Sequence, residues 1–275
     1  MLVPEQMTAV EKHYFKRHNM YFDSHCHLDC IDLAGFNDSF SDLLKDIEAE
    51  KVTRMVCISV NLESFDLMYD LIAPHDHIFC SAGVHPDYKD VTEPTVDGLC
   101  TLAEKEKVIA IGETGLDYIK SGSNMEWQRQ RFITHIEASR ECKLPLIIHT
   151  RNAKQDTLDL LKQHKAHEVG GVLHCFTEDW AMAEQAIDLG FYISISGIVT
   201  FKQAIAVQEM ARQIPDNRLM IETDSPWLSP VPYRGKVNHP GRVHHVAAKL
   251  AEIRDTSLEI LAKSTFENAN RLFNL

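Results

Sequence analysis

The sequence predicts an α/β chain folded as a single (β/α)8 TIM barrel, with its last helices covering the end of the sheet. Eight short runs rich in β-branched and apolar residues punctuate the chain, at 21–23, 54–59, 78–82, 108–111, 146–149, 171–174, 191–194 and 218–222. Segments with a helical apolar period lie between them, long enough to return the chain for parallel pairing. The 275 residues, 44% of them apolar, can fill one large core, and barrels of this size commonly form a single domain.

Taken in order, Tyr21-Phe22-Asp23 opens the first strand, which ends in Ser24-His25-Cys26-His27-Leu28-Asp29. A helical period over 39–50 follows, then the strand at 54–59, a helix over 62–72, and the strand at 78–82 running into Gly83-Val84-His85-Pro86. The fourth strand, 108–111, ends in Gly112-Glu113-Thr114-Gly115-Leu116-Asp117 and is followed by a helix over 127–142. The fifth ends in His149-Thr150-Arg151 before a helix over 156–164, and the sixth in His174-Cys175-Phe176 before a helix over 181–189. After the seventh, a helix over 204–213 leads to the eighth, which ends in Glu222-Thr223-Asp224-Ser225-Pro226. Helices over 243–253 and 258–272 then cover the barrel. An open doubly wound sheet is the alternative, but it has fewer strands and often a Gly-rich loop where this chain has two histidines.

Composition narrows the function classes. Lys+Arg 28 against Asp+Glu 40 gives a net charge of −12, which speaks against a broad basic surface for nucleic acid. That acidity leaves metal chemistry untouched, because bound cations neutralise carboxylates at a site. Mean hydropathy is −0.21, and no apolar run approaches the roughly 18 residues of a membrane span. Residues 1–19 lack the apolar core of a secretory signal, so a cytoplasmic location is expected. They form either a loosely held extension or an artefact of start-site choice with Met20 as the true start, leaving 20–275 as the barrel. Seven cysteines, an odd number without any CxxC pair, fit small buried side chains in a reducing compartment.

The chemistry lies at the strand ends. His, Glu and Asp recur after strands one, three, four, five, six and eight, and in a barrel those ends meet at one mouth. His25 and His27 are two apart in an extended segment, so both rings can face one ion. Each motif alone has a bland explanation: a strand-end histidine is usually a satisfied polar residue, and an acidic Glu-Thr-Asp-Ser-Pro can be a helix cap. Six such coincidences on one rim outweigh them. Four histidines and two or three carboxylates suffice for two divalent ions sharing a carboxylate, with positions left for water and substrate.

FDSHCHLD, GVHPD, GETGLDY, HTR, GGVLHCF and ETDSPWL together resemble the TatD-type deoxyribonuclease family of amidohydrolase-like barrels, in the same order and from Met20 to the C-terminus. The resemblance implies that His25 and His27 hold a first ion with Asp224, that Glu113 bridges both ions, and that His149 and His174 complete the second. It also implies cleavage of DNA, often from the 3′ end, at single-stranded or frayed ends, with Mg²⁺ or another divalent cation. The ligand types themselves favour Zn²⁺ or Mn²⁺ by softness. Two departures stand out: SPWL replaces the usual SPYL, and residues 1–19 have no family counterpart.

Built on that resemblance, Asp224 is the expected base that takes a proton from water, with Glu113 the second catalytic carboxylate. His85 is either a phosphate or supporting contact or a turn histidine; Arg151 pairs with phosphate or with a surface carboxylate. Arg234 and Lys236 are either strand-backbone contacts or solvated loop residues. Trp227 and Tyr233 either stack a terminal base or pack in the core. Glu222 is either a further site carboxylate or an inward barrel residue. The competing class is an amide, lactone or aminoacyl-ester hydrolase. Neither a membrane nor an obligate protein partner is expected.

Overall fold

The computed structural model describes residues 20–119 and 126–275, so the expected extension over 1–19 lies outside the described residues. These contain eight strands: β1 (Tyr21–Cys26), β2 (Val52–Cys57), β3 (Ile78–Ala82), β4 (Val108–Asp117), β5 (Leu146–Arg151), β6 (Gly171–Leu173), β7 (Tyr192–Ile195) and β8 (Leu219–Ile221). They pair in chain order, and every pairing is parallel. The ring closes where Cys26 bridges Ser225: the His27 amide donates to the Ser225 carbonyl at 2.8 Å, and the Asp224 amide to the His25 carbonyl at 2.9 Å. The predicted (β/α)8 barrel is thus the observed fold.

The crossovers are α1 (Phe40–Ala49), α2 (Phe65–Ile72), α3 (Val96–Ala103), α4 (Glu126–Cys142), α5 (Lys154–Gln163), α6 (Trp180–Asp188) and α7 (Ile205–Gln213), followed by α8 (Val243–Ile253) and α9 (Leu258–Phe273). Ser39, Thr95, Asp179 and Ser257 cap α1, α3, α6 and α9 by accepting from an amide three residues on, which satisfies donors the helix leaves open. Two apolar layers result. Alternate strand residues such as Tyr21, Met55, Leu146 and Ile148 pack outward against helices, while Phe22, Val56, Ala110, Ile147, Val172 and Met220 form a separate cluster with Phe266, Ala269 and Phe273 of α9. Phe22 lies 6.0 Å from both Phe266 and Phe273, so α9 closes the N-terminal end of the barrel. The opposite, C-terminal mouth is where the strand-end motifs gather.

β1, β4, β5 and β7 run further than predicted, to Cys26, Asp117, Arg151 and Ile195, whereas β2, β6 and β8 stop short at Cys57, Leu173 and Ile221. β4 extends because it finds a partner. Thr114, Gly115, Leu116 and Asp117 register against Ile148, His149, Thr150 and Arg151 of β5. Gly115 makes this possible, with φ of 136° and so little room that a Cβ would lie 2.0 Å from the His149 carbonyl oxygen. Gly115→Ala is expected to lower stability by roughly 3 kcal/mol. A fall in the urea midpoint at unchanged slope would report it; an unchanged midpoint would refute the close-approach argument.

His135 of α4 is fully buried and uses both ring nitrogens: Nδ1–H donates to the Arg131 carbonyl at 2.8 Å, and Nε2 accepts from the Val84 amide at 3.0 Å. Both bonds require the neutral ring, and burial pushes its pKa down to about 4. An unfolded histidine takes up its proton near pH 6.5, so between that pH and 4 the unfolded state binds more protons and stability falls with pH. The wild type is expected to lose roughly 3 kcal/mol more than His135→Gln across that window. Equal losses in denaturant titrations at pH 7 and pH 4 would contradict it.

Candidate metal centre

Seven side chains from six strand ends converge in the mouth, none more than 18% exposed. Glu113, all but buried on β4, lies at the centre. Its Oε2 is 3.4 Å from His25 Nε2, while its Oε1 is 2.7 Å from His174 Nε2, 3.2 Å from His149 Nδ1 and 3.3 Å from His85 Nε2. Asp224 Oδ1 sits 3.6 Å from His25 Nε2 and 3.5 Å from His27 Nε2, and the two Nε2 atoms are 3.3 Å apart. The His25 and His174 rings stack at 3.8 Å. The two oxygens of Glu113 therefore face two different sets of donors: His25, His27 and Asp224 on one side, His149 and His174 on the other.

Outer groups set which nitrogen each ring presents. Asp117 Oδ2, 3.1 Å from His149 Nε2, takes that N–H and turns Nδ1 toward Glu113. Glu222 Oε1, 3.3 Å from His174 Nδ1, does the same for His174 and leaves its Nε2 facing inward. Carboxylates behind histidines in this way fix tautomer and orientation in metal sites. His85 is arranged differently. Its Nδ1 accepts from the Asp87 amide at 3.0 Å, so the ring proton is on Nε2 and points at Glu113. His85 therefore donates a hydrogen bond into the site and has no lone pair there for an ion.

Asp224 needs a special backbone, with φ of 53°, and its neighbours hold it there. The buried Asp23 carboxylate accepts from the Thr223 amide at 2.9 Å and the Thr223 hydroxyl at 2.5 Å. Asn238 Nδ2 donates to the carbonyls of Thr223 and Trp227 at 3.1 and 2.6 Å.

Electrostatics fit a centre built around cations. Burial pushes the Glu113 carboxyl up, but its interactions with the surrounding His174, His85, His25 and His149 rings outweigh it and hold the pKa well below the usual range. Burial works against the charged form of His174, yet Glu113 and Glu222 raise it well above an ordinary imidazole; His149 and His27 are raised likewise by Asp117, Glu113 and Asp224. His25 is lowered by burial and by His174. The triads His25-Glu113-His174 and His25-His27-Asp224 each have ligand atoms within 4.8 Å of one another. The gathered imidazole nitrogens and carboxylate oxygens are the donors that borderline divalent ions prefer. The residues thus fit divalent cations.

The cavity above the centre, about 600 Å³, is lined by His85, Arg151, Ile198, Trp227 and Leu228 among others. Arg151 Nη1 is 3.9 Å from Asp117 Oδ2 and half exposed, so it serves the carboxylate and the cavity together. Trp227 is 52% exposed, and its ring meets that of His27 edge-to-face at 5.0 Å. Arg234 lies elsewhere: its guanidinium covers the Phe201 ring at 3.7 Å in a neighbouring depression with Lys202 and Val231. Tyr233 and Lys236 line a third cleft beside His239 and Arg242. Asp117 received no role from sequence, although it shares strand parity with Glu113; only the extension of β4 turns that parity into a shared face.

The family described as TatD related DNase matches residues 22–274. The chain belongs to this family. Among TatD relatives, the metal-dependent hydrolase YcfH of Escherichia coli K12 is 44% identical over 254 residues, 92% of this chain and 95% of the relative. YabD of Bacillus subtilis strain 168, also named as a metal-dependent hydrolase, is 38% identical over 93% of this chain and its own full length. The crystal structure of the TatD homologue YJJV from Escherichia coli K12 superposes with a TM-score of 0.84 at 26% identity, covering 93% and 98% of the two chains. A phosphotriesterase homology protein from Escherichia coli, with phosphate in its active site, shares the fold at 18% identity and a TM-score of 0.61, covering 89% and 95%. The TatD chain is accordingly a metal-dependent hydrolase, and no helix among the described residues is long and apolar enough to cross a membrane.

Proposed function

We propose that the protein hydrolyses phosphodiester bonds in DNA as a 3′–5′ exodeoxyribonuclease, using two divalent cations of Mg²⁺, Mn²⁺ or Zn²⁺ type. The observation that carries the reading is the division of the Glu113 carboxylate between two donor sets, the arrangement a bridging ligand needs. His25, His27 and Asp224 would hold one ion and His149 and His174 the other. Divalent cations bound there would supply Lewis acidity toward a phosphoryl oxygen and acidify water.

The side chains supply the rest. Asp224 accepts the proton of the attacking water. His85 directs its Nε2–H toward the reacting group, and Arg151 pairs with phosphate at the rim. Trp227 offers an exposed aromatic face for a terminal base. A cavity of about 600 Å³ suits one nucleotide, which favours strand ends over duplex interiors. Family membership and the phosphate held by the phosphotriesterase homology protein support the same reading. Unpaired cysteines agree with a reducing, cytoplasmic setting.

A second reading draws on the lining itself, which holds Arg151 as its lone Lys or Arg among the described residues. A small amide, lactone or aminoacyl ester would need no more. The deciding experiment offers 3′- and 5′-labelled single-stranded and duplex DNA to metal-free protein reconstituted with each cation. Metal-dependent shortening from the 3′ end is the expected result. Turnover of small esters with DNA left intact would replace the nuclease reading by the second one.

A further inference from the structure

Helix α4 buries Gln128, Arg131, His135 and Ser139 alongside Phe132, Ile136 and Ala138. Burying such groups is costly unless they are hydrogen-bonded, and apolar residues would pack the helix as well. Their partners are not scattered. His135 accepts from the Val84 amide at 3.0 Å; Gln128 donates to the Pro86 carbonyl at 2.9 Å. Arg131, 3% exposed, donates to the carbonyls of His85 and Tyr88 at 3.0 and 2.7 Å and grips Glu93 with its other two nitrogens. Three side chains at helical spacing thus hold residues 84, 85, 86 and 88 by their backbones. Gln128 also accepts from the Asp117 amide at 3.1 Å, joining this loop to the residue behind His149.

We propose that the buried polar face of α4 is a positioning device, fixing the 83–88 loop so that His85 presents its Nε2–H to Glu113 and the reacting group. Loops move more than the strands they follow, whereas a catalytic contact needs placement within about 0.5 Å. The bonds to α4 remove that freedom. Arg131, Gln128 and His135 act through His85 and touch neither ion nor substrate, and the proposal rests on the hydrolytic reading of the site given above.

The test is a double-mutant cycle of His85→Ala and His135→Leu, with His135→Gln and Arg131→Gln alongside. His135→Leu is expected to lower kcat about 10- to 100-fold, the range for outer groups of metal sites, with KM and Zn²⁺ affinity changed less than about threefold. In the His85→Ala background it should cost nothing further, and His135→Gln, which keeps a donor and an acceptor, should recover most of the loss. Nitrogen-15 imidazole spectra supply a readout apart from turnover: His85 should carry its proton on Nε2 in the wild type and lose that fixed tautomer in His135→Leu and Arg131→Gln. Multiplying losses in the double variant, or an unchanged His85 tautomer in both variants, would overturn the proposal. If the wild type cleaves no DNA while the tautomer shifts as expected, the nuclease reading fails and the positioning role stands.

Discussion

Asp224→Asn should reduce kcat by about 10³-fold while leaving the barrel folded, as expected for loss of a group that takes the proton of water. Asparagine matches the shape of aspartate but can neither accept that proton nor match its affinity for a cation. The carboxyl Oδ1 is within 3.6 Å of both His25 and His27 Nε2, so the loss is felt by the whole first donor set. Burial favours the neutral acid here, yet the hydrogen bond from His27 and the charges of His25 and His174 keep Asp224 ionised below the usual carboxyl range. Its fold-supporting role belongs to the backbone, through the amide bond to the His25 carbonyl, which survives the substitution. Kinetics, metal content and a melting curve on one preparation decide the matter. Activity within tenfold of wild type would remove Asp224 from the chemistry, and a collapsed melting curve would show that the side chain, too, is structural.

Glu113→Gln should do more, because one carboxylate serves both donor sets. Metal content is expected to fall from about two ions per chain to one or none, with activity down by roughly 10⁴-fold. The amide removes the negative charge that faces His25, His85, His149 and His174 within 3.4 Å. Those rings would then lose the partner that holds His174 and His149 toward the protonated form. Equilibrium dialysis followed by metal analysis gives the stoichiometry directly. Two ions retained at undiminished affinity would exclude a bridging role.

Much of the architecture was legible because a parallel strand buried on both faces reads as a short apolar run, and eight such runs leave few alternatives. The strand-end motifs were legible for a related reason: the barrel carries residues distant in sequence to one rim, so chemistry repeated after successive strands has to meet. Helix α3 escaped notice, since Val96–Ala103 is short, includes Gly98 and Thr101, and announces itself mainly through its Thr95 cap. The role of α4 was invisible for the opposite reason. A helical period marks the segment, but nothing in it says that Gln128, Arg131 and His135 point inward. Glu222 resolves once the structure places it behind His174, a relation across 48 residues that no local pattern encodes. Arg234 looked available in a Pro- and Gly-bearing loop, and the structure gives it to the Phe201 ring instead.

The seam between β1 and β8 has a consequence for the timing of activity. The two bonds that shut the ring belong to the backbones of His25, His27, Asp224 and Ser225, so the first and last strands are joined by the very residues that build one half of the centre. During synthesis, the histidines emerge about 200 residues before the aspartate that completes their set. A nascent or truncated chain that lacks β8 has neither a closed ring nor an assembled donor set. Hydrolytic competence therefore waits for β8, and the topology itself keeps a copy without that strand inactive.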